Sequence, residues 1–115
     1  SNPRAIVLSP DNSKLYATLN ISGKVIAWDL LANKEIKKVS TGKSARSLAI
    51  SKDGSALYVV NFRSGTLSVV STETMKVLQN VKVCSEPIGV TYDEVESKTW
   101  VACYGGSIKV FAPAQ

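Results

Sequence analysis

The residues able to do chemistry in this sequence fall into three sets, and none completes a reactive constellation. Histidine is absent. That removes the usual general base, the common zinc and haem ligand, and any Ser-His-Asp or Cys-His nucleophile system within the chain. The nine carboxylates are scattered. Asp11 and Asp53 sit in matching Ser-x-Asp-x-Ser settings, Ser9 to Ser13 and Ser51 to Ser55, where a carboxylate caps the backbone amides of a turn. Asp93, Glu94 and Glu96 cluster and offer a cation a weak hold; a solvated acidic loop is the plainer reading. The two cysteines, Cys84 and Cys103, lack a metal-type spacing. They read as unrelated, partly buried thiols, with a disulfide as the alternative. The residue types therefore predict no catalytic residue, no metal site and no cofactor in this chain.

The third set is basic. Fourteen Lys and Arg against nine Asp and Glu give a formal charge of +5, which suits solubility better than nucleic-acid binding. No run of five like charges occurs. Apolar runs fall far short of the ~18 residues that span a membrane. Asn20-Ile21-Ser22 has the pattern of a glycosylation sequon, which matters only in a secreted eukaryotic setting. Ser1-Asn2 is read as the remnant of a removed tag and left out of fold reasoning.

These residues are positioned by a repeat. Shifted by 42 residues, the sequence falls on itself: Leu15-Tyr16 meets Leu57-Tyr58, Ser22-Gly23 meets Ser64-Gly65, and Ser9, Asp11 and Ser13 meet Ser51, Asp53 and Ser55. A third copy puts Trp100 on the Tyr16 and Tyr58 position and, after one deletion past Tyr104, Gly106 on Gly65. Each copy holds short apolar runs rich in Val, Leu and Tyr, bounded by Gly, Asp, Asn and Ser, so it is built of strands. A period in the low forties with no helical segment is the signature of β-propeller blades, each a four-stranded antiparallel sheet. The fold class is all-β. At this period the chain holds about two and three-quarter blades, whereas closed propellers have about four to eight. We read 1–115 as one partial propeller domain, with blade 1 at about 3–42, blade 2 at about 45–84 and an incomplete blade 3 at about 87–112.

The blade strands expected are 5–9, 14–19, 24–30 and 34–41, then 47–51, 56–62, 66–72 and 76–83, then 88–92, 98–104 and 107–111. Inner runs such as Ala5-Ile6-Val7-Leu8 and Leu57-Tyr58-Val59-Val60 are continuously apolar, as strands covered on both faces are. Tyr16, Tyr58, Trp100 and Trp28 are expected to pack between blades. Lys34, Lys37, Lys38, Lys76 and Lys82 fall mostly in the outermost strand, where lysine discourages edge pairing.

The middle copy, SKDGSALYVVNFRSGTLSVVSTETMKVL from Ser51 to Leu78, followed by Pro87-Ile88-Gly89-Val90, resembles the YVTN β-propeller repeat. Copy one departs in Ala17-Thr18-Leu19 and carries Trp28-Asp29, as a WD-type repeat does. Copy three departs at Trp100 and Cys103. The resemblance covers nearly the whole chain. It implies a non-catalytic binding or scaffold module at the cell surface, outside the cell or in the periplasm, so the chain is expected not to be an enzyme. The alternative it implies is the propeller portion of a lactonase-like hydrolase or redox-cofactor enzyme whose catalytic residues lie on other blades.

Propeller topology then places a candidate site. The loop entering the first strand of a blade and the loop between strands two and three emerge on one face around the channel. Those loops bring Arg4, Lys43, Arg46, Phe62, Arg63 and Tyr104 to the channel mouth, with Asn20 and Glu86 nearby. A basic and aromatic rim suits an anionic ligand or an acidic protein partner; a solvated rim is the plainer alternative, and nucleic acid is disfavoured. Each open end would expose roughly 500 Å² of apolar surface, whose burial contributes about 10 kcal/mol. The expected covers are further blades of a longer parent chain or self-association.

Overall fold

The structure is a computed structural model that describes residues 2–112; Ser1, read above as part of a tag remnant, lies outside them. Among the described residues, eleven strands form three antiparallel sheets. The first sheet takes β1 (Pro3–Leu8), β2 (Lys14–Leu19), β3 (Lys24–Asp29) and β4 (Lys34–Ser40). The second takes β5 (Ala45–Ile50), β6 (Ala56–Asn61), β7 (Thr66–Ser71) and β8 (Lys76–Lys82). The third takes β9 (Pro87–Asp93), β10 (Lys98–Cys103) and β11 (Ile108–Phe111). The expected strand plan stands, with ends displaced by two residues or fewer.

Each sheet is a blade, and β1, β5 and β9 lie side by side along the inner edge. The blades pack through two cores. Tyr16, Val25 and Ala27 of blade 1 meet Leu48, Leu57, Val59 and Val70 of blade 2 in the first. Tyr58, Val60, Leu67 and Val69 of blade 2 meet Val90, Tyr92 and Val101 of blade 3 in the second. The Leu57-Tyr58-Val59-Val60 run is thereby explained: alternate side chains of one strand enter opposite cores. Tyr58 stacks on Tyr92, with ring centroids 5.4 Å apart.

The outer faces of the two end blades differ from this. Ile6 of β1 is 63% exposed, and Trp100 at the Tyr58 position of blade 3 is 40% exposed. The expected packing role of Trp100 is thus incomplete, because no blade lies against it. Trp28 is half-buried and donates its indole N–H to Asn33 Oδ1 at 3.3 Å.

The turns follow the sequence logic. Asp11 Oδ1 accepts from the Ser13 amide at 2.9 Å and from the Ser9 and Ser13 hydroxyls, each at 2.7 Å. Asp53 repeats this with Ser51 and Ser55. These bonds stabilise the charged carboxylate. The Ser13 hydroxyl and amide lead in holding Asp11 at about 2, and the Ser55 amide leads in lowering Asp53. The third copy of this turn uses Asp93, which accepts from the amides of Val95 and Glu96.

One expectation is corrected. Cys84 and Cys103 are joined in a disulfide. They read as unrelated thiols because they belong to different blades, but the packing of blade 3 on blade 2 sets the linker after β8 against the end of β10.

Candidate functional site

The candidate site is built at the two junctions between blades, on the face where the strand-two to strand-three hairpins turn. At each junction the same backbone bonds recur. The Thr41 amide donates to Gly23 O at 2.9 Å, and the Val83 amide donates to Gly65 O at 3.1 Å. The Phe62 amide donates to Ser44 O at 2.8 Å, and the Tyr104 amide donates to Glu86 O at 3.0 Å. Gly65 shows why the hairpin needs glycine: φ is +69°, and a Cβ there would stand 2.8 Å from Cys84 O.

This construction leaves a groove at each junction. The first, of about 630 Å³, is lined by Asn20, Ile21, Ser40 and Thr41, with Lys43 and Arg63 at its border. The second, of about 950 Å³, is lined by Phe62, Arg63, Lys82, Cys84 and Glu86, again with Lys43. Lys43 and Arg63 stand between the two because their backbones are tied. The Lys43 amide donates to Ser64 Oγ at 2.8 Å, and the Arg63 amide donates to Lys43 O at 3.2 Å.

Of the six residues expected at the mouth, Lys43, Phe62 and Arg63 come together in the second groove. Arg46 is held beside it, its guanidinium carbon 4.6 Å from the centre of the Phe62 ring, a cation–π contact. Arg4 and Tyr104 are exposed and do not line either groove. Sequence reasoning missed Lys82, which was assigned to edge protection. The repeat held no signal for it, since Ser40 occupies its position in blade 1.

Beneath the first groove lies a buried polar network that the sequence reading also missed. Asn61 is fully buried. Its Oδ1 accepts from the Thr41 hydroxyl at 2.9 Å, and its Nδ2 donates to Thr66 Oγ1 at 3.1 Å and Ser68 Oγ at 2.9 Å. The sequon residue Asn20 is engaged as well, its amide donating to Ala45 O at 3.2 Å. In the acidic loop, Glu96 pairs with Lys98 at 2.9 Å. Among the described residues, no group of three or more His, Cys, Asp or Glu is arranged to hold a metal ion.

The profile of the cytochrome D1 heme domain family matches residues 5–104. A seven-bladed β-propeller protein of Mycobacterium tuberculosis is 42% identical over 91 residues, which cover 78% of this chain and 23% of that protein. Among solved structures, the hydrazine synthase of Kuenenia stuttgartiensis superposes with a TM-score of 0.91 at 28% identity, over 95% of this chain and 32% of that one. The WD40 repeats of RRP9 superpose with a TM-score of 0.87 at 17% identity, over 96% of this chain and 35% of theirs, a likeness of fold alone. The chain thus spans about a quarter to a third of the relatives it matches, and its architecture is that of a partial propeller.

These comparisons correct the expectation that the chain is not an enzyme. The family profile is that of a haem domain and hydrazine synthase is an enzyme, so the relatives are enzyme-associated. The missing histidine misled because the blades of a propeller share one channel, and reactive groups need not recur on each blade.

The family implies a haem, whose iron takes His, Met, Cys or Tyr as axial ligand. The residues present do not fit that role. Histidine is absent, Met75 is buried in the first core, and both cysteines are spent in their disulfide. Tyr16 and Tyr58 are buried between blades, Tyr92 stacks on Tyr58, and Tyr104 stands in solvent outside both grooves. No chemical step is assigned to this chain through a haem.

Proposed function

We propose a reading from one premise: the chain belongs to the cytochrome D1 heme domain family. In this reading it is the blade set of a larger propeller in a redox-cofactor enzyme, with the cofactor's ligands on parts of the protein outside these residues. The observation that carries it is the 28% identity to hydrazine synthase over 95% of the chain, joined to the haem-domain profile. The chain's own share is mechanical and electrostatic. It stacks blades through two cores, and it presents Arg4, Lys43, Arg46 and Arg63 on the mouth face, where cations raise the local concentration of an anionic ligand or acidic partner.

The reading also places the protein in an oxidising compartment, at the cell surface or in the periplasm. The Cys84–Cys103 bond supports this, because structural disulfides persist where thiols are not kept reduced. Further blades of the same protein are the covers for Ile6 and Trp100, in preference to a second copy of the chain.

The test is an absorption spectrum of the whole purified protein, oxidised and then reduced with dithionite. A redox-active chromophore that stays with the protein through gel filtration is the expected result. A colourless protein with no bound cofactor by mass spectrometry would overturn the reading.

A further inference from the structure

We infer that the groove at the second blade junction is a binding site for a small phosphate-type anion. Three cations reach it from three separate elements. Lys43 comes from the linker between β4 and β5, Arg63 from the turn between β6 and β7, and Lys82 from the end of β8. Glu86 is the only acidic residue in its lining, so the three cations less this one anion leave the groove at +2. Among the described residues none of the three cations forms an ion pair, even with Glu86 lining the same groove.

The first groove also holds two cations, Lys43 and Arg63, but both stand on the border it shares with the second. What the repeat shows is that a third converging cation is not a requirement of the fold. The first junction has the same backbone bonds, yet Ile21 stands at the Arg63 position and Ser40 at the Lys82 position. Uncompensated like charges gathered in one concavity repel one another, and a multivalent anion relieves that repulsion. The guanidinium fork of Arg63 suits two oxygens of a phosphate, with the two ammonium groups as point charges. A volume of about 950 Å³ is that of a small-molecule site. An extended polyanion is disfavoured, because beyond Lys43 and Arg63, which border both grooves, the far side of the first presents the uncharged Ile21 and Ser40.

The inference uses the mouth face of the reading above but does not need its cofactor. The experiment is calorimetric titration of pyrophosphate into the whole protein, in chloride buffer at low ionic strength. Saturable binding is expected. Arg63→Gln with Lys82→Gln should weaken it by about tenfold or more, as loss of two charge-assisted contacts does. Lys34→Gln, which removes an exposed cation at the opposite end of β4 from Ser40 and outside both grooves, should leave it within about twofold. The reciprocal change, Ile21→Arg with Ser40→Lys, should add a second equivalent of bound pyrophosphate, and it remains informative if the double glutamine variant does not fold.

Absence of saturable binding by the unaltered protein overturns the inference, as does unchanged affinity in a folded double glutamine variant. Binding of an acidic peptide or nucleic acid by a protein with no affinity for pyrophosphate or inorganic phosphate also overturns it. A protein that keeps its chromophore but ignores pyrophosphate would sink this site and leave the redox reading standing.

Discussion

The two blade junctions share one backbone and are closed by different chemistry. Gly42 and Asn61 in the first occupy the repeat positions of Cys84 and Cys103 in the second. At the first junction the glycine lets Asn61 approach, since a Cβ on Gly42 would stand 2.8 Å from Asn61 Cγ. The amide then ties Thr41, Thr66 and Ser68 together. At the second junction the same two positions form a covalent bond, and Val83 replaces Thr41 beside it. One joint is a buried hydrogen-bond network, sensitive to the loss of any partner. The other is a redox-sensitive staple around apolar side chains. The repeat fixes where a joint must be; it leaves open what makes it.

The comparison is broken most severely at Asn61. Asn61→Ala should cost about 3–4 kcal/mol, because it leaves a cavity and strips buried hydroxyls of their partner. Urea denaturation of the whole protein, or of its proteolytically stable propeller, reads this as a lower midpoint. An undiminished midpoint would show that the network contributes nothing to the joint.

Reduction of Cys84–Cys103, or Cys84→Ser with Cys103→Ser, should cost about 3 kcal/mol, as expected for a closed loop of this size. The loss should be local to blade 3, seen as faster amide exchange in β9 to β11 with β2 and β3 unchanged. Uniform exchange across all blades would show that the disulfide does not act at one joint.

Gly42→Cys with Asn61→Cys copies the second joint onto the first. Gly42→Cys alone should destabilise through its clash with Asn61. The double variant should recover most of the loss under oxidising conditions, a coupling of about 1–3 kcal/mol between neighbours. Additive losses in a double-mutant cycle would mean that the joints are not interchangeable.

Acid should loosen the first two blades in a way that reduction does not. Asp11 is held at about 2 against an ordinary 3.8, and Asp53 is lowered in the same way. A carboxyl with a depressed folded pKa adds stability above its unfolded value and loses it as pH falls through the folded one. Stability should therefore fall between about pH 4 and pH 2, and Asp11→Asn with Asp53→Asn should flatten that fall. An identical acid limb in the double variant would remove these turns as its cause.

The smallest expected effect is a gain. The Thr99 hydroxyl is buried with no partner, whereas the equivalent residue in blade 2 is Leu57. Thr99→Val should raise stability by about 1 kcal/mol. A lower melting temperature would show that the hydroxyl is satisfied after all.

How much of this was legible follows from the range of each interaction. Asp11 and Asp53 bond within two residues of themselves, so their Ser-x-Asp-x-Ser setting declared the turn. Strand ends were legible because glycine and asparagine at Asn12, Gly54 and Gly65 supply the positive φ that hairpins need. The site was half legible. Lys43, Phe62 and Arg63 follow from loop topology, while Lys82 was masked by its place in an outer strand. Arg46 was placed on the right face but not in its stack on Phe62.

The sequence by itself determined the repeat, the strand plan and the propeller architecture, because hydrophobic alternation and turn chemistry act between near neighbours and recur with each copy. The tertiary structure alone decided what meets across a blade junction. Asn61 reaches Thr41, Cys84 bonds Cys103, and Lys82 converges with Lys43 and Arg63. These pairings depend on the stagger between adjacent sheets, which is set by the joint packing of two cores and not by any local pattern.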